Sequence, residues 1–204
     1  MLLDVGCGTG SLLAELKLFG KTRGIDPSRE AIAICHNRGL RQAVVGRAEK
    51  IPFPARSFDV VTLMDVLEHT DDEIVIAEVT RVLKPSGLLI ASVPAYPWLW
   101  SSWDTVLGHR RRYTAQTLLS VLRKSGFKPR FVTHAYIFAL LPVILIRILK
   151  SLLYADQQYP SDFAITNGLI QKTLLALTKV ERYVALRWHI PIPWGLSIFV
   201  AAQT

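Results

Sequence analysis

Hydrophobic and polar positions change rhythm along the chain, and each rhythm predicts an element. Met1-Leu-Leu-Asp-Val5 is a short apolar run that reads as a buried strand, and Gly6-Cys-Gly-Thr-Gly10 follows it as a glycine turn. Leucines at 12, 13 and 16 recur at helical spacing, so residues 11–19 are expected to be a helix. A second strand over 22–25 ends at Asp26, and Ser28 is placed to cap a helix that runs to Asn37, with Gly39 beyond its end. Residues 43–45, 58–64 and 88–93 read as the next three strands, and 71–83 as a helix stopped by Lys84-Pro-Ser-Gly87. Short strands alternating with helices predict a mainly parallel sheet covered on both faces. Right-handed crossovers then give a doubly wound α/β fold with its ligand site at the carboxyl ends of the strands.

The second half has a different pattern. Residues 95–103 are aromatic-rich and contain proline, which predicts a loop. Residues 114–125 read as a helix closed by Gly126, and 127–136 as a strand. A strongly apolar helix is expected over 137–154 with Pro142 near its start, then a polar linker over 155–163 and a long helix over 165–187. Pro191 and Pro193 break that helix before a last strand at 196–202. No internal repeat or low-complexity tract interrupts the chain.

Composition narrows the class. Of 204 residues, half are hydrophobic and 20% charged, which excludes a disordered chain. Cys7 and Cys35 are too few for a disulfide scaffold or a four-cysteine zinc site, and no metal is expected. They fit a reducing, cytoplasmic setting, and no stretch reads as a signal peptide. The longest uncharged apolar run, 135–146, has twelve residues, short of the roughly 20 a spanning helix needs. Charge is uneven: residues 1–108 carry 11 Lys/Arg against 13 Asp/Glu, and residues 109–204 carry 13 against 3. A basic half suggests an anionic partner: a charged small molecule, a membrane surface or nucleic acid. A solvated basic surface explains it equally well.

The glycine turn is the most informative stretch. A strand feeding such a turn and then a helix brings backbone close to a ligand. A dinucleotide fingerprint starting at Gly6 needs glycine at position 11, where the residue is Ser11. No lysine follows in a phosphate-loop arrangement, which argues against a nucleoside triphosphate. Asp26, at the end of the second strand, has the position of a carboxylate that accepts both ribose hydroxyls of an adenosine.

With these residues in place, the sequence resembles class I S-adenosylmethionine-dependent methyltransferases. Leu3-Asp-Val-Gly-Cys-Gly-Thr-Gly10 looks like their first motif. The resemblance continues through Gly24-Ile-Asp26-Pro-Ser28, Ala48-Glu-Lys-Ile-Pro-Phe-Pro54, Ser57-Phe-Asp59-Val-Val61, Asp65-Val-Leu-Glu-His69 and Leu83-Lys-Pro-Ser-Gly87. It is greatest to the small-molecule group that includes ubiquinone- and menaquinone-biosynthesis methyltransferases, where Gly108-His-Arg-Arg-Arg-Tyr-Thr114 also has counterparts. The resemblance implies one seven-stranded Rossmann-like domain over 1–204, which the hydrophobic pattern divides into a cofactor-binding core at 1–136, a helical lid insertion at 137–194 and a final strand at 195–204. It implies S-adenosyl-L-methionine held by Asp4, Gly6, Cys7, Gly8, Gly10, Asp26 and Pro27, with Ala48 and Glu49 at the adenine edge and Met64 and Asp65 near the methyl group. Two departures stand out. Arg47 takes the place where relatives often have an aspartate, and the first strand begins at Met1, so the usual N-terminal helical cover is expected to be lacking.

Methyl transfer needs positioning first and, for many acceptors, a base. His69 and His109 are the candidates, since histidine titrates near neutral pH. His36, His134 and His189 have no motif context. Arg110-Arg-Arg-Tyr113 suits an anion, because guanidinium forks fit carboxylates and phosphates. Arg111, Tyr113 and Trp103 are the expected substrate contacts. Packing of each of these within a loop is the plain alternative. The apolar helix over 137–150 reads either as a buried lid or as a peripheral membrane contact with basic residues beside it. No motif of a nucleic-acid methylase is present: Asp65-Val-Leu-Glu68 replaces the Asn/Asp-Pro-Pro-aromatic run, and neither cysteine follows proline. The expected substrate is therefore a small lipophilic or anionic molecule and not nucleic acid. A non-catalytic binding protein on the same fold is the competing class.

Overall fold

The computed structural model describes residues 1–153, 168–188 and 190–204. Its first apolar run, β1 (Leu2–Val5), is paired on both sides, by β2 (Thr22–Asp26) and β4 (Phe58–Met64), both parallel. β3 (Ala43–Val45) extends the sheet beyond β2, and β5 (Leu83–Pro94) lies beside β4. A strand buried on both faces has no use for alternation, and Leu3, Val5, Val61, Leu63, Leu89, Ala91 and Val93 are all buried. The seven strands run in the order β3-β2-β1-β4-β5-β7-β6, completed by β6 (Lys128–Ala135) and β7 (Ser197–Gln203). β7 is antiparallel to both its neighbours and the rest run parallel, so the sheet is mainly parallel as expected.

Helices cover the sheet. α1 (Ser11–Leu16) leaves the glycine turn and α2 (Arg29–Asn37) starts on Ser28, whose hydroxyl accepts the Ala31 amide at 3.0 Å. α3 (Asp72–Val82) buries Val75, Ile76, Val79 and Val82 on one face. α4 (Ser102–Val106) and α5 (Ala115–Lys124) follow β5, and α6 (Ile137–Leu153) and α7 (Gly168–Arg187) lie between β6 and β7. Among the described residues, no helix is long and apolar enough to cross a membrane.

Two expectations are corrected. Lys84-Pro-Ser-Gly87 is no separate stop: α3 ends at Val82 and β5 begins at Leu83, with the four residues inside the strand and a register shift opposite Phe58 and Val60. Residues 95–103 are not a plain loop. A single 3-10 turn at Pro97–Leu99 is followed by α4, which starts in a capping box between Ser101 and Asp104. The expected linker 155–163, the start of the helix at 165–167, Tyr154 and His189 lie outside the described residues.

Candidate active site

β1 and β2 hold the glycine turn from below. The amides of Gly6 and Cys7 both donate to the carbonyl of Ile25, at 2.8 and 3.0 Å. The Asp26 carboxylate is fixed by two backbone amides, Gly8 to Oδ2 and Ser28 to Oδ1, each at 2.9 Å. A cavity of about 310 Å³ opens here, with Gly6, Asp26, Pro27, Ala48, Glu49 and Asp65 in its wall. It lies where the strand order reverses around β1 and β4, the place at which doubly wound sheets bind ligands. Arg47 is in the same wall and pairs with Glu49 at 3.4 Å.

Whether these residues fit S-adenosylmethionine is decided by three observations. Asp4 is buried, and its Oδ1 accepts from the Thr62 hydroxyl at 2.7 Å, while Oδ2 has no hydrogen-bond partner among the described residues. Burial pushes its carboxyl up to about 6 against that hydrogen bond, and Asp26 adds repulsion, so a cationic group nearby would be favoured. A side chain added at Gly6 would meet Val66 at 2.5 Å, and one at Gly10 would meet Leu40 at 2.4 Å, whereas at Gly8 it would meet nothing within 4 Å. The turn thus packs tightly at its two ends and leaves room above its middle. An amino-acid ammonium, a ribose and an adenine edge match the Asp4, Asp26 and Ala48–Glu49 positions in turn, so the residues fit the cofactor.

The structure spreads the expected cofactor residues over two layers. The Cys7 side chain is turned into a small core with Leu13, Ile32 and Cys35, so only its backbone faces the turn. Burial pushes the Cys7 thiol far up, with Cys35 beside it adding to this, and it is no nucleophile. Met64 lines neither of the two cavities described here, while Asp65 lines both. Asp65 adopts φ 53°, a left-handed conformation held by its amide donating to the Ser92 carbonyl at 3.1 Å and by Ser92 Oγ donating to its Oδ1 at 2.9 Å.

The second cavity, about 730 Å³, adjoins the first through Asp65 and His69. Trp103, Leu107, His109 and Arg112 form one side, and Phe138, Val143, Arg147, Leu174 and Glu181 of α6 and α7 form another. His109 Nδ1 donates to Asp104 Oδ1 at 2.8 Å, and Arg112 Nε donates to the same oxygen at 2.7 Å. Burial raises the Asp104 carboxyl, but these donors outweigh it and hold it below its ordinary value. His69 Nδ1 faces the Gly108 carbonyl at 3.2 Å, and the two imidazoles meet edge to face, 4.8 Å apart. Glu68 is wholly buried, neither carboxylate oxygen has a hydrogen-bond partner among the described residues, and burial pushes it up to about 8.

Arg111 and Tyr113 are corrected as substrate contacts. The Tyr113 hydroxyl is buried and donates to Asp72 Oδ2 at 2.8 Å, and Arg111 pairs with the same oxygen at 2.9 Å. Together they lock the basic segment onto the start of α3. Arg112, not Arg111, lines the large cavity, and Trp103 is in its wall. His36 and His134 bond to the carbonyls of Ala43 and Ile192. Sequence reasoning missed Asp104 as the anchor of His109. Its signal was present in Ser101-Ser-Trp-Asp104, which has capping-box spacing.

The comparisons agree with this geometry. Residues 3–91 match the family model described as a methyltransferase domain. The ubiquinone biosynthesis O-methyltransferase of Paraburkholderia phymatum is 36% identical over 99 residues, covering 45% of this chain and 43% of that protein. The demethylmenaquinone methyltransferase of Lactococcus lactis is 34% identical over 109 residues, covering 48% and 43%. The chain spans about half the length, or less, of the curated relatives it matches first. A solved Thermotoga maritima structure, described as a SAM-dependent methyltransferase and possible histamine N-methyltransferase, superposes with a TM-score of 0.63 at 19% identity, covering 99% of this chain and 81% of that one. The motif order, the sheet order and the match agree: residues 3–91 are similar to the methyltransferase domain family, on the fold of a solved SAM-dependent methyltransferase.

Proposed function

We propose that the protein transfers a methyl group from S-adenosylmethionine to a small lipophilic or anionic acceptor held in the larger cavity. The observation that carries this reading is the shared wall: Asp65 and His69 line both the cofactor-sized cleft and the apolar chamber beside it. When bound, the cofactor supplies a sulfonium methyl for in-line displacement. The chain's own work is to fix the two molecules against each other and to manage a proton. A carboxylate only accepts, so the His109–Asp104 bond places the proton on Nδ1 and leaves Nε2 as the basic nitrogen. The same logic applies to His69 through the Gly108 carbonyl.

The chamber supports the substrate class. Its walls are largely apolar, with Arg112 and Arg147 as cationic members. Helices α6 and α7 act as its lid. Leu141, Leu145 and Ile148 on α6 are exposed, which fits a lid that touches a membrane surface from which a lipophilic acceptor is drawn. The names of the quinone-pathway relatives point the same way for acceptor chemistry.

The test is calorimetric titration with S-adenosylhomocysteine, for the parent chain and Asp26→Ala, followed by transfer of labelled methyl to a panel of lipophilic phenols, quinols and acids. Binding by the parent that is lost in the variant, with label in one acceptor class, is the expected result. Binding without any label transfer would favour the non-catalytic reading.

A further inference from the structure

We infer that the chamber takes a lipophilic amine, with its ammonium seated between Asp65 and Glu181 against the ring of Tyr136. The three side chains come from different elements and line one cavity. Glu181 is on α7, where Leu174 and Thr178 line the same cavity at helical spacing, so it belongs to the face turned to the chamber. It is 5% exposed, and its Oε2 has no hydrogen-bond partner among the described residues. Its Oε1 accepts the Ile137 amide, the first of α6, at 3.3 Å. That bond fixes the carboxylate at the start of α6 and leaves the second oxygen without a donor. A buried carboxylate oxygen in this condition favours a cationic donor.

Tyr136 supplies an independent observation. It joins β6 to α6, lines the chamber and is 40% exposed. Burial first, then the negative charges of Asp65 and Glu181, push its hydroxyl above the ordinary value. Both carboxylates therefore lie within electrostatic reach of one ring. An aromatic face attracts an ammonium, and two carboxylates beside it strengthen that attraction. Among the described residues, no salt bridge joins Asp65 or Glu181 to a cation. Asp65 is held by Ser92, a neutral donor.

The other charges of the wall leave this end acidic. Arg112 is committed to Asp104 and the Ala95 carbonyl. Arg147 lies ten residues beyond Ile137 on α6, roughly 15 Å along the helix at about 1.5 Å per residue. Glu68, pushed up to about 8, keeps its proton at neutral pH and leaves the charge to the other two carboxylates. Leu107, Phe138, Val143 and Leu174 meet the apolar part of the amine. What happens to the amine rests on the methyltransferase reading. Asp65 also lines the cofactor cleft, so a nitrogen beside it sits at the junction of the two cavities. The ammonium gives one proton to the basic nitrogen of His69. The lone pair so freed forms the N–C bond while the bond from that methyl carbon to sulfur breaks, its pair passing to sulfur. The products are a methylated ammonium and S-adenosylhomocysteine. The acceptor class narrows to lipophilic amines, and anionic acceptors drop out.

The test compares 2-phenylethylamine, 2-phenylethanol and phenylacetate, which share a phenyl ring and differ in head group. Calorimetry at pH 7 measures each on the whole chain, with and without S-adenosylhomocysteine, whose own binding is recorded on the same samples. The amine is expected to bind at least about tenfold tighter than either other probe. Glu181→Gln keeps an oxygen for the Ile137 amide and should weaken the amine about tenfold while leaving the alcohol unchanged. Tyr136→Leu should weaken the amine about 3- to 10-fold. Melting curves and S-adenosylhomocysteine affinity identify the folded variants. An amine that binds no better than the alcohol or the acid in the parent chain overturns the seat, and this comparison needs no variant. A preference that survives Glu181→Gln in folded protein overturns it too. With methyl-labelled S-adenosylmethionine, label on the amine nitrogen supports the assignment, and label in the alcohol or acid instead overturns it. Amine preference without S-adenosylhomocysteine binding would leave the seat standing and remove the methyltransferase reading.

Discussion

Asp4 couples the fold to its ligand through one proton. Its carboxyl is raised from the ordinary 3.8 to about 6 because burial outweighs the Thr62 hydrogen bond. The folded chain therefore holds this proton more tightly than the unfolded one, and stability falls as pH rises from about 4 through 6. The loss is about 3 kcal/mol once the group is ionised. Thermal melts across pH should show this slope, and Asp4→Asn should flatten it. A ligand ammonium beside Oδ2 reverses the preference, so S-adenosylhomocysteine should bind about tenfold tighter at pH 7 than at pH 5. Calorimetry at both values checks this, and the difference should vanish in Asp4→Asn. The glycines separate by the same residue-level logic. Gly10→Ala drives a methyl into Leu40 and Cys35 at φ 84° and should lower stability by about 2–4 kcal/mol, read as a drop in melting temperature. Gly8→Ala, with open space around it, should cost only about 1–2 kcal/mol of stability and act chiefly by weakening cofactor binding.

The helix α4 shows how a short element organises chemistry. Asp104 closes its capping box, accepts from His109 and pairs with Arg112, so one buried carboxylate sets the helix start, the base and a cationic wall residue. Asp104→Asn keeps a side chain that can cap but removes the carboxylate that fixes the His109 ring through Nδ1. If the base reading holds, methyl transfer should fall about 100-fold or more, with S-adenosylhomocysteine affinity unchanged. Steady-state kinetics beside calorimetry distinguishes this from misfolding. Elements with a strong period or a stop signal were legible in the sequence: β1, β2, β4, α2 and α5 lie within about two residues of their expected bounds. The residues at 95–106 were not legible, because aromatic side chains and proline mask a single helical turn whose cap is its only local signature. Arg111 and Tyr113 were misjudged for a related reason. Charge and aromaticity mark both a ligand contact and a buried clasp, and only the tertiary position of Asp72 tells them apart.

At the scale of the molecule, the two cavities draw on different stretches of chain and share Asp65 and His69. The smaller cavity is lined by residues between 6 and 110, nearly all in the half with nearly balanced charge, whereas α6 and α7 belong to the basic half. Replacing Leu141 and Leu145 by serine should reduce binding to phosphatidylglycerol vesicles by about tenfold in a sedimentation assay while leaving S-adenosylhomocysteine binding unchanged. Binding to such vesicles should also weaken with salt, since anionic headgroups attract basic segments. The strand order has one more consequence. Ala135 and Ser197 are direct partners across an antiparallel pair, so the chain leaves the sheet and returns to it at neighbouring points. Gly195 marks the return, where any side chain would strike the Ala135 backbone. The whole span from 137 to 194 is thus spliced into the mouth of a hairpin. Its excision, with a two-residue turn in its place, would leave every strand pairing intact. Lineages and engineers alike could exchange that span for another and re-form one wall of the larger cavity while leaving the seven-stranded sheet unchanged.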